Sequence, residues 1–121
     1  MTVSVLALSV DCADAANLAG FWAAALGRQV EPGASAESAR VGTGDVATTG
    51  PLMLFHQVPE GKIVKNRLHL DLGTSAAAAE TDRLLGLGAS VLNVFEENGQ
   101  HRWTTMADPE GNEFDLVTRS G

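Results

Sequence analysis

Cysteine, basic clusters and long apolar runs are all scarce in this 121-residue chain, and each scarcity excludes a class of protein. Cys12 is the single cysteine, so no disulfide can form within the chain and no oxidising compartment is required. No stretch approaches the roughly 20 apolar residues of a membrane-spanning helix. A signal peptide typically has Lys or Arg before its apolar region, and neither precedes the apolar run Val3–Val10. We therefore expect a cytoplasmic protein with no membrane partner.

Positive charge is scarce as well. The chain carries 8 Lys and Arg against 15 Asp and Glu, which gives a formal net charge of −7. Lys62, Lys65 and Arg67 lie close together in one connection, but three cations are too few to neutralise a phosphate backbone. The charge argues against nucleic acid as a partner and is typical of an acidic surface that favours solubility or a cationic ligand.

The chain contains a repeat. Leu6–Val10 and Leu68–Leu72 alternate apolar and variable residues, and each is followed by an Ala-rich stretch and a Leu-Gly stop. The second copy lies 62 residues after the first at the strand and 61 residues after it at Gly27 and Gly88. We predict one domain over residues 1–121, built from two modules of about residues 1–60 and 61–121.

Each module is predicted to run strand, helix, strand, strand, strand. Asp14 is a good N-cap for the first helix, which Gly27 ends, and Thr74 or Ser75 can cap the second helix, which ends near Leu85. The strands of the first module are predicted at Val3–Val10, from Val30, near Ala39–Val41 within the loop of residues 32–50, and at Pro51–Val58. Those of the second are predicted at Leu68–Leu72, Ala89–Phe95, His101–Met106 and Asn112–Thr118.

A four-stranded sheet with one helix leaves its other face bare. Pairing two such modules covers that face and encloses a cleft, which is the natural place for a ligand. The sequence therefore predicts an α+β fold in which two βαβββ modules pair into an open, barrel-like mixed sheet around a shared cleft.

Alternation along the strands predicts which side chains line the cleft. Leu68, Leu70 and Leu72 face the helix in this interpretation. His69 and Asp71 then lie on the opposite face. The residues predicted to face the cleft are Ala7, Leu52, Leu54 and His56 from the first module and His69, Asp71, Glu113 and Asp115 from the second.

One imidazole and several carboxylates on neighbouring strands favour two kinds of chemistry. Neutral His with Asp or Glu suits a divalent metal such as Zn, Fe, Mn or Ni. A His beside a carboxylate equally suits general acid–base work, because the carboxylate raises the pKa of an imidazole. In a third interpretation these groups line a wet groove and hydrogen-bond one another.

Two stretches resemble a known superfamily. Lys65–Leu72 (KNRLHLDL) and Asp108–Phe114 (DPEGNEF), together with the duplicated modules, resemble the vicinal oxygen chelate superfamily and, more narrowly, its glyoxalase-like domain proteins. The resemblance covers essentially the whole chain. It implies a shared-cleft fold whose members are either metal enzymes, such as glyoxalase I, ring-cleaving dioxygenases, epimerases and fosfomycin-inactivating transferases, or metal-free drug-binding proteins such as the bleomycin-resistance proteins.

The resemblance also implies four metal-ligand positions, two in each module. They fall on Ala7 and Leu54 in the first module and on His69 and Asp115 in the second. Alanine and leucine cannot bind a metal, and an open catalytic site usually needs about three protein donors. His56 would supply a third donor only if a bulge changed the strand register. The sequence therefore predicts an incomplete metal site.

We expect a glyoxalase-like protein that binds a small molecule in an acidic, partly apolar cleft without a complete metal site. The alternative is a divalent-metal-dependent lyase, isomerase or dioxygenase that uses His69 and Asp115. A structural or regulatory dimer with a vestigial cleft is a third possibility, since modules of this family pair within one chain or across a homodimer. The residues expected to bind the ligand are His69, Asp71, Glu113, Asp115, Leu54 and Ala7, and those considered for a metal are His69, Asp115 and His56.

Overall fold

The computed structural model of the chain describes residues 2–42 and 50–119. The chain divides into two compact units, Met1–Gly61 and Lys62–Gly121. Two helices and two mixed sheets confirm the predicted α+β class, while the single-domain organisation and the pairing around a shared cleft stay predictions. The elements are β1 (Ala7–Cys12), α1 (Ala15–Leu26), β2 (Ser38–Val41), β3 (Leu52–Gln57), β4 (Asp71–Thr74), α2 (Ala77–Leu87), β5 (Ser90–Glu97), β6 (Gln100–Ala107) and β7 (Glu113–Thr118).

Helix α1 begins and ends where the sequence predicts. The Asp14 carboxylate accepts the backbone N–H of Asn17 at 3.1 Å, which satisfies one of the unpaired donors of the first turn. Gly27 follows the last helical residue with φ at 67°, a left-handed conformation that glycine adopts without a Cβ penalty. Neither α1 nor α2 is long and apolar enough to cross a membrane, and this holds for every helix in the described part of the chain.

The first unit has a three-stranded sheet in the order β1-β3-β2, with β1 parallel and β2 antiparallel to β3. Helix α1 covers one face of this sheet. Its Leu18, Phe21 and Trp22 are buried there together with Val41 and Phe55 of the strands. Burial of each large apolar side chain contributes about 1.5–3 kcal/mol, so this layer is the core of the unit.

Two strands of the first unit differ from prediction because strands need partners. The strand predicted from Val30 is only an isolated bridge to Val41, and Gly33, at a φ of 94°, turns the chain three residues later. The strand predicted at Val3–Val10 starts at Ala7, which pairs with Leu52 at the first residue of β3. Residues before Ala7 therefore extend past the sheet. Residues 43–49 of the predicted loop lie outside the described residues.

The second unit has a four-stranded sheet in the order β4-β7-β6-β5, with β4 parallel to β7 and the other pairs antiparallel. Helix α2 covers one face and buries Leu84 against a layer that includes Met106, Phe114 and Leu116. The N-cap residue of α2 is Ala76, later than the predicted Thr74 or Ser75, and the Thr74 hydroxyl accepts the Ala76 N–H at 3.0 Å.

Strand β4 starts three residues later than predicted. Asp71 is its first residue and pairs with Asp115, while the Leu70 carbonyl accepts the Asp115 N–H at 2.9 Å. Leu68 is 75% exposed, so its predicted packing against the helix is wrong. The start of β4 is therefore set by its pairing with β7 and not by the apolar pattern of Leu68–Leu72.

Candidate metal and ligand site

The second sheet has one face turned away from α2, and we call it the open face. Phe114 and Leu116 of β7 are buried on the helix side. Because successive side chains of a strand point to opposite faces, Glu113, Asp115 and Val117 lie on the open face. The sequence predicted this arrangement from alternation alone.

Three polar residues form one row across the open face, which we call the carboxylate row. Asp115 of β7 pairs with Asp71 of β4 on one side and with Thr105 of β6 on the other. Side chains at paired positions of neighbouring strands stand about 5 Å apart. The row therefore brings two carboxylates and a hydroxyl within reach of one another.

His69 joins this row from the segment that leads into β4. Its Nε2 atom lies 3.2 Å from Asp71 Oδ1 and 3.4 Å from Asp115 Oδ2. One donor atom from each of the three residues lies within 4.8 Å of the other two. His69 and Asp71 are exposed and Asp115 is partly exposed, so a solute can reach all three. We call these residues the His-Asp-Asp cluster.

The cluster fits a divalent cation. Histidine nitrogen and carboxylate oxygen bind such cations at about 2.0–2.2 Å, which places adjacent ligand atoms about 3.0–3.4 Å apart in octahedral or tetrahedral geometry. The observed separations of 3.2 and 3.4 Å between His69 Nε2 and the two carboxylates match this range. Three protein donors also leave coordination positions open for a ligand.

Thr105 orients one carboxylate of the cluster. Its hydroxyl donates to Asp115 Oδ1 at 2.7 Å, while Oδ2 of the same carboxylate is the atom near His69. Such outer contacts hold a ligating carboxylate in a fixed orientation. Sequence reasoning did not single out Thr105. Its place follows from the β6–β7 hairpin, in which Ala107 pairs with Glu113 and Thr105 therefore with Asp115.

Glu113 lies on the same face but has other partners. Its Oε1 accepts the backbone N–H of Asn66 at 2.9 Å, and its Oε2 lies 3.1 Å from Lys62 Nζ. The Asn66 hydrogen bond, helped by Lys62, holds the pKa of Glu113 below its usual value, although partial burial opposes this. Glu113 thus anchors the segment that precedes His69, and its role in ligand binding stays a prediction.

The first unit carries an apolar counterpart of this face. Its β3 matches β7 at the 61-residue offset, so Leu54 stands where the second unit has Asp115. At the first strand of each unit the offset is 62 residues, which places Ala7 where the second unit has His69. A pocket of about 380 Å³ opens here, lined by Leu6, Ala7, Ser38, Ala39, Arg40, Leu52, Leu54 and His56. His56 is exposed on β3 and lines this pocket, while the third donor of the His-Asp-Asp cluster is Asp71. A metal role for His56 stays a prediction.

Comparison with known proteins identifies the family. A family model described as a glyoxalase-like domain matches residues 7–117. The chain belongs to this glyoxalase-like family. Among curated proteins, no sequence matches the chain significantly.

Solved structures share the fold of this glyoxalase-like chain. A glyoxalase/bleomycin resistance protein/dioxygenase family enzyme from Burkholderia phytofirmans is 17% identical, with a TM-score of 0.71 over 96% of this chain and 98% of that chain. The fosfomycin resistance protein FosX from Listeria monocytogenes is 11% identical, with a TM-score of 0.75 over 99% and 94%. A FosX variant from the same organism was solved with Mn(II) and 1S,2S-dihydroxypropylphosphonic acid, at 12% identity and a TM-score of 0.74 over 97% and 90%. The resemblance stated from the sequence is confirmed.

Proposed function

We propose that this protein binds a divalent cation through His69, Asp71 and Asp115, and that a small molecule completes the coordination on the open face. The observation that carries the proposal is that one donor atom from each residue lies within 4.8 Å of the others. An imidazole with two carboxylates suits Mn, Fe, Zn or Ni. FosX, which shares the fold, was solved with Mn(II), so Mn(II) is the first cation to test.

The residues around the cluster have separate tasks in this proposal. Asp71 and Asp115 offset the charge of the cation, and His69 presents Nε2 to it. Thr105 keeps Asp115 in its orientation through the 2.7 Å hydrogen bond. The cation would supply Lewis-acid polarisation of a ligand oxygen. This is the chemistry of the metal-dependent alternative, with Asp71 as the third donor.

Metal titration of untagged protein tests the proposal. We expect one Mn(II) or Zn(II) per chain by calorimetry, with affinity at least tenfold weaker in each of His69→Ala, Asp71→Asn and Asp115→Asn, because each change removes one of three donors. Asp82→Asn, on α2 and away from the open face, is the charge-matched control and should bind metal as the wild type does. Absence of stoichiometric binding, or equal weakening in the control, contradicts the proposal.

Metal-free binding of a small molecule is the second candidate function. The observation that favours it is the pocket of about 380 Å³ in the first unit, where Ala7 and Leu54 replace potential ligands by apolar groups. A pocket of this size and lining is typical of small-molecule sites. The ligand's apolar part would contact Leu52 and Leu54.

Chelation separates the two candidates. A thermal-shift screen is run with and without EDTA on the wild type and on Leu54→Arg, which fills the pocket of the first unit. Shifts that persist in EDTA and disappear in Leu54→Arg support metal-free binding. Shifts that need the cation and survive in Leu54→Arg support the cluster in the second unit.

A further inference from the structure

A second row of residues crosses the open face beside the carboxylate row. Gly73 of β4 pairs with Val117 of β7, Val117 pairs with Trp103 of β6, and Trp103 pairs with Phe95 of β5. Gly73, Val117 and Trp103 each lie two positions along their strand from a member of the carboxylate row. Two positions correspond to about 7 Å along a strand, which is within the length of a small organic molecule.

Arg119 fills the space that Gly73 leaves. A Cβ atom at position 73 would lie 2.9 Å from Arg119 Cδ and 3.3 Å from its Nε, so the side chain folds over the glycine on the open face. The backbone holds it there, because the Arg119 N–H donates to the Thr74 carbonyl at 2.7 Å. None of the ion pairs found among residues 2–42 and 50–119 includes Arg119. Arg119 is exposed, so a solute can reach its guanidinium.

An aromatic pair occupies the other end of the second row. The rings of Phe95 and Trp103 are stacked, with centroids 4.3 Å apart and planes 14° from parallel. Phe95 is 39% and Trp103 is 37% exposed, so the pair presents apolar surface to solvent. Val117 lies between Trp103 and the glycine that Arg119 covers. The row thus places a guanidinium and an indole on either side of one valine.

We infer that the second row recognises the ligand of the proposed metal site, and that this ligand is a planar organic anion. The inference rests on the proposed function and names its ligand class. Arg119 binds the anionic group, because a guanidinium donates two parallel hydrogen bonds to a carboxylate. Trp103, backed by Phe95, contacts the planar apolar part.

Charge balance favours an anion over the cationic ligand expected from the sequence. The carboxylates of Asp71 and Asp115 carry two negative charges, and a divalent cation cancels both. Glu113 is already paired with Lys62. Once these charges cancel, the guanidinium of Arg119 is the remaining charge of this group. It lies over Gly73, two strand positions from Asp71, so one small molecule could span the guanidinium and the cation. A loaded site therefore attracts an anion.

The test uses a matched pair of probes on Mn(II)-loaded protein. Salicylate carries a carboxylate beside a hydroxyl on a planar ring, and salicylamide has the same shape without the charge. By calorimetry, we expect Arg119→Gln to weaken salicylate about tenfold, the loss of one charge-assisted contact, and to leave salicylamide and Mn(II) affinity unchanged. Arg83→Gln, on α2, removes the same charge elsewhere and should change neither affinity.

Two further variants separate position from charge. Gly73→Ala keeps the charge but its Cβ displaces the Arg119 side chain, so salicylate should weaken severalfold. Gly86→Ala meets no atom within 4 Å and is the control that should not change affinity. Trp103→Leu should weaken salicylate but not oxalate, an anion without a ring.

The outcomes distinguish this inference from the proposed function. If Mn(II) does not bind the wild type, both fail. If Mn(II) binds but the wild type holds salicylate and salicylamide equally, or if Arg119→Gln keeps full salicylate affinity, the inference alone is overturned. A loss of salicylate affinity in Arg119→Gln and Gly73→Ala, with normal Mn(II) binding, supports it.

Discussion

The hydrogen bond from Thr105 to Asp115 offers the sharpest test of the metal site, because Thr105 itself is not a ligand. Thr105→Val keeps the shape of the side chain and removes the hydroxyl that donates to Asp115 Oδ1 at 2.7 Å. We expect this change to weaken metal binding while all three donors of the cluster remain. A purely structural hydrogen bond on an open sheet face would have no such effect.

The magnitude follows from the geometry. A hydrogen bond to a charged group contributes about 1.5–3 kcal/mol, and the 20% exposure of the Asp115 side chain lets water replace part of it. The lower limit of about 1.5 kcal/mol corresponds to roughly a tenfold loss of metal affinity. Loss of an outer-shell partner typically costs about 10–100-fold, so the two arguments agree. The metal-free protein loses the same hydrogen bond, so its free energy of unfolding should fall by at most about 1.5 kcal/mol.

The neighbouring threonine provides the control. Thr104 is buried on the opposite face of β6, and its hydroxyl lies 2.7 Å from His101 Nε2. Thr104→Val should lower the free energy of unfolding by about 1–3 kcal/mol, the cost of a lost buried hydrogen bond, and leave Mn(II) affinity unchanged. Calorimetry and urea unfolding on both variants measure the two effects. Wild-type Mn(II) affinity in Thr105→Val, or equal weakening in Thr104→Val, would refute the reasoning.

Three further predictions concern stability, each measured by urea unfolding. The lowered pKa of Glu113 adds stability above the ordinary glutamate pKa of about 4.3, and this is lost as the pH falls through the folded value. Glu113→Gln should therefore be less stable than wild type at about pH 7, and the difference should narrow as the pH falls below the ordinary glutamate pKa of about 4.3; an unchanged difference argues against this. Leu84→Ala should lower the free energy of unfolding by about 2–5 kcal/mol, because Leu84 is buried between α2 and the sheet. Leu85→Ala, at an exposed position of the same helix, should lower it by less than about 1 kcal/mol. Asp14→Ala should cost about 1 kcal/mol and Asp14→Asn much less, since asparagine also caps; equal losses contradict the cap.

Sequence reasoning succeeded where the signal is local. Helix α1 depends on Asp14 and Gly27, two residues whose capping and left-handed conformations are intrinsic to their chemistry. The turn before β7 depends on Asp108–Gly111, where the Gly111 N–H donates to the Asp108 carbonyl at 2.9 Å. Neither feature needs a distant partner, so both could be predicted from sequence.

Sequence reasoning failed where a partner strand decides. Val3 and Leu68 continue apolar patterns that predict strand, yet both lie outside the sheets because neither pairs with a strand among residues 2–42 and 50–119. Val30 fits a strand equally well and forms only an isolated bridge. Strand ends are set by the ladder hydrogen bonds available, and these depend on residues far away in sequence.

The sequence by itself determined the α+β class, the repeat of its elements and the faces on which His69, Asp71 and Asp115 lie, because alternation and capping act over a few residues. Only the tertiary structure decided that these three become neighbours. Asp71 stands beside Asp115 because β4 pairs with β7 in a register that places the two residues opposite each other. Arg119 reaches the same face because Gly73 leaves room for it. Register and close approach are properties of paired strands, and the alternation of one strand does not specify its partner.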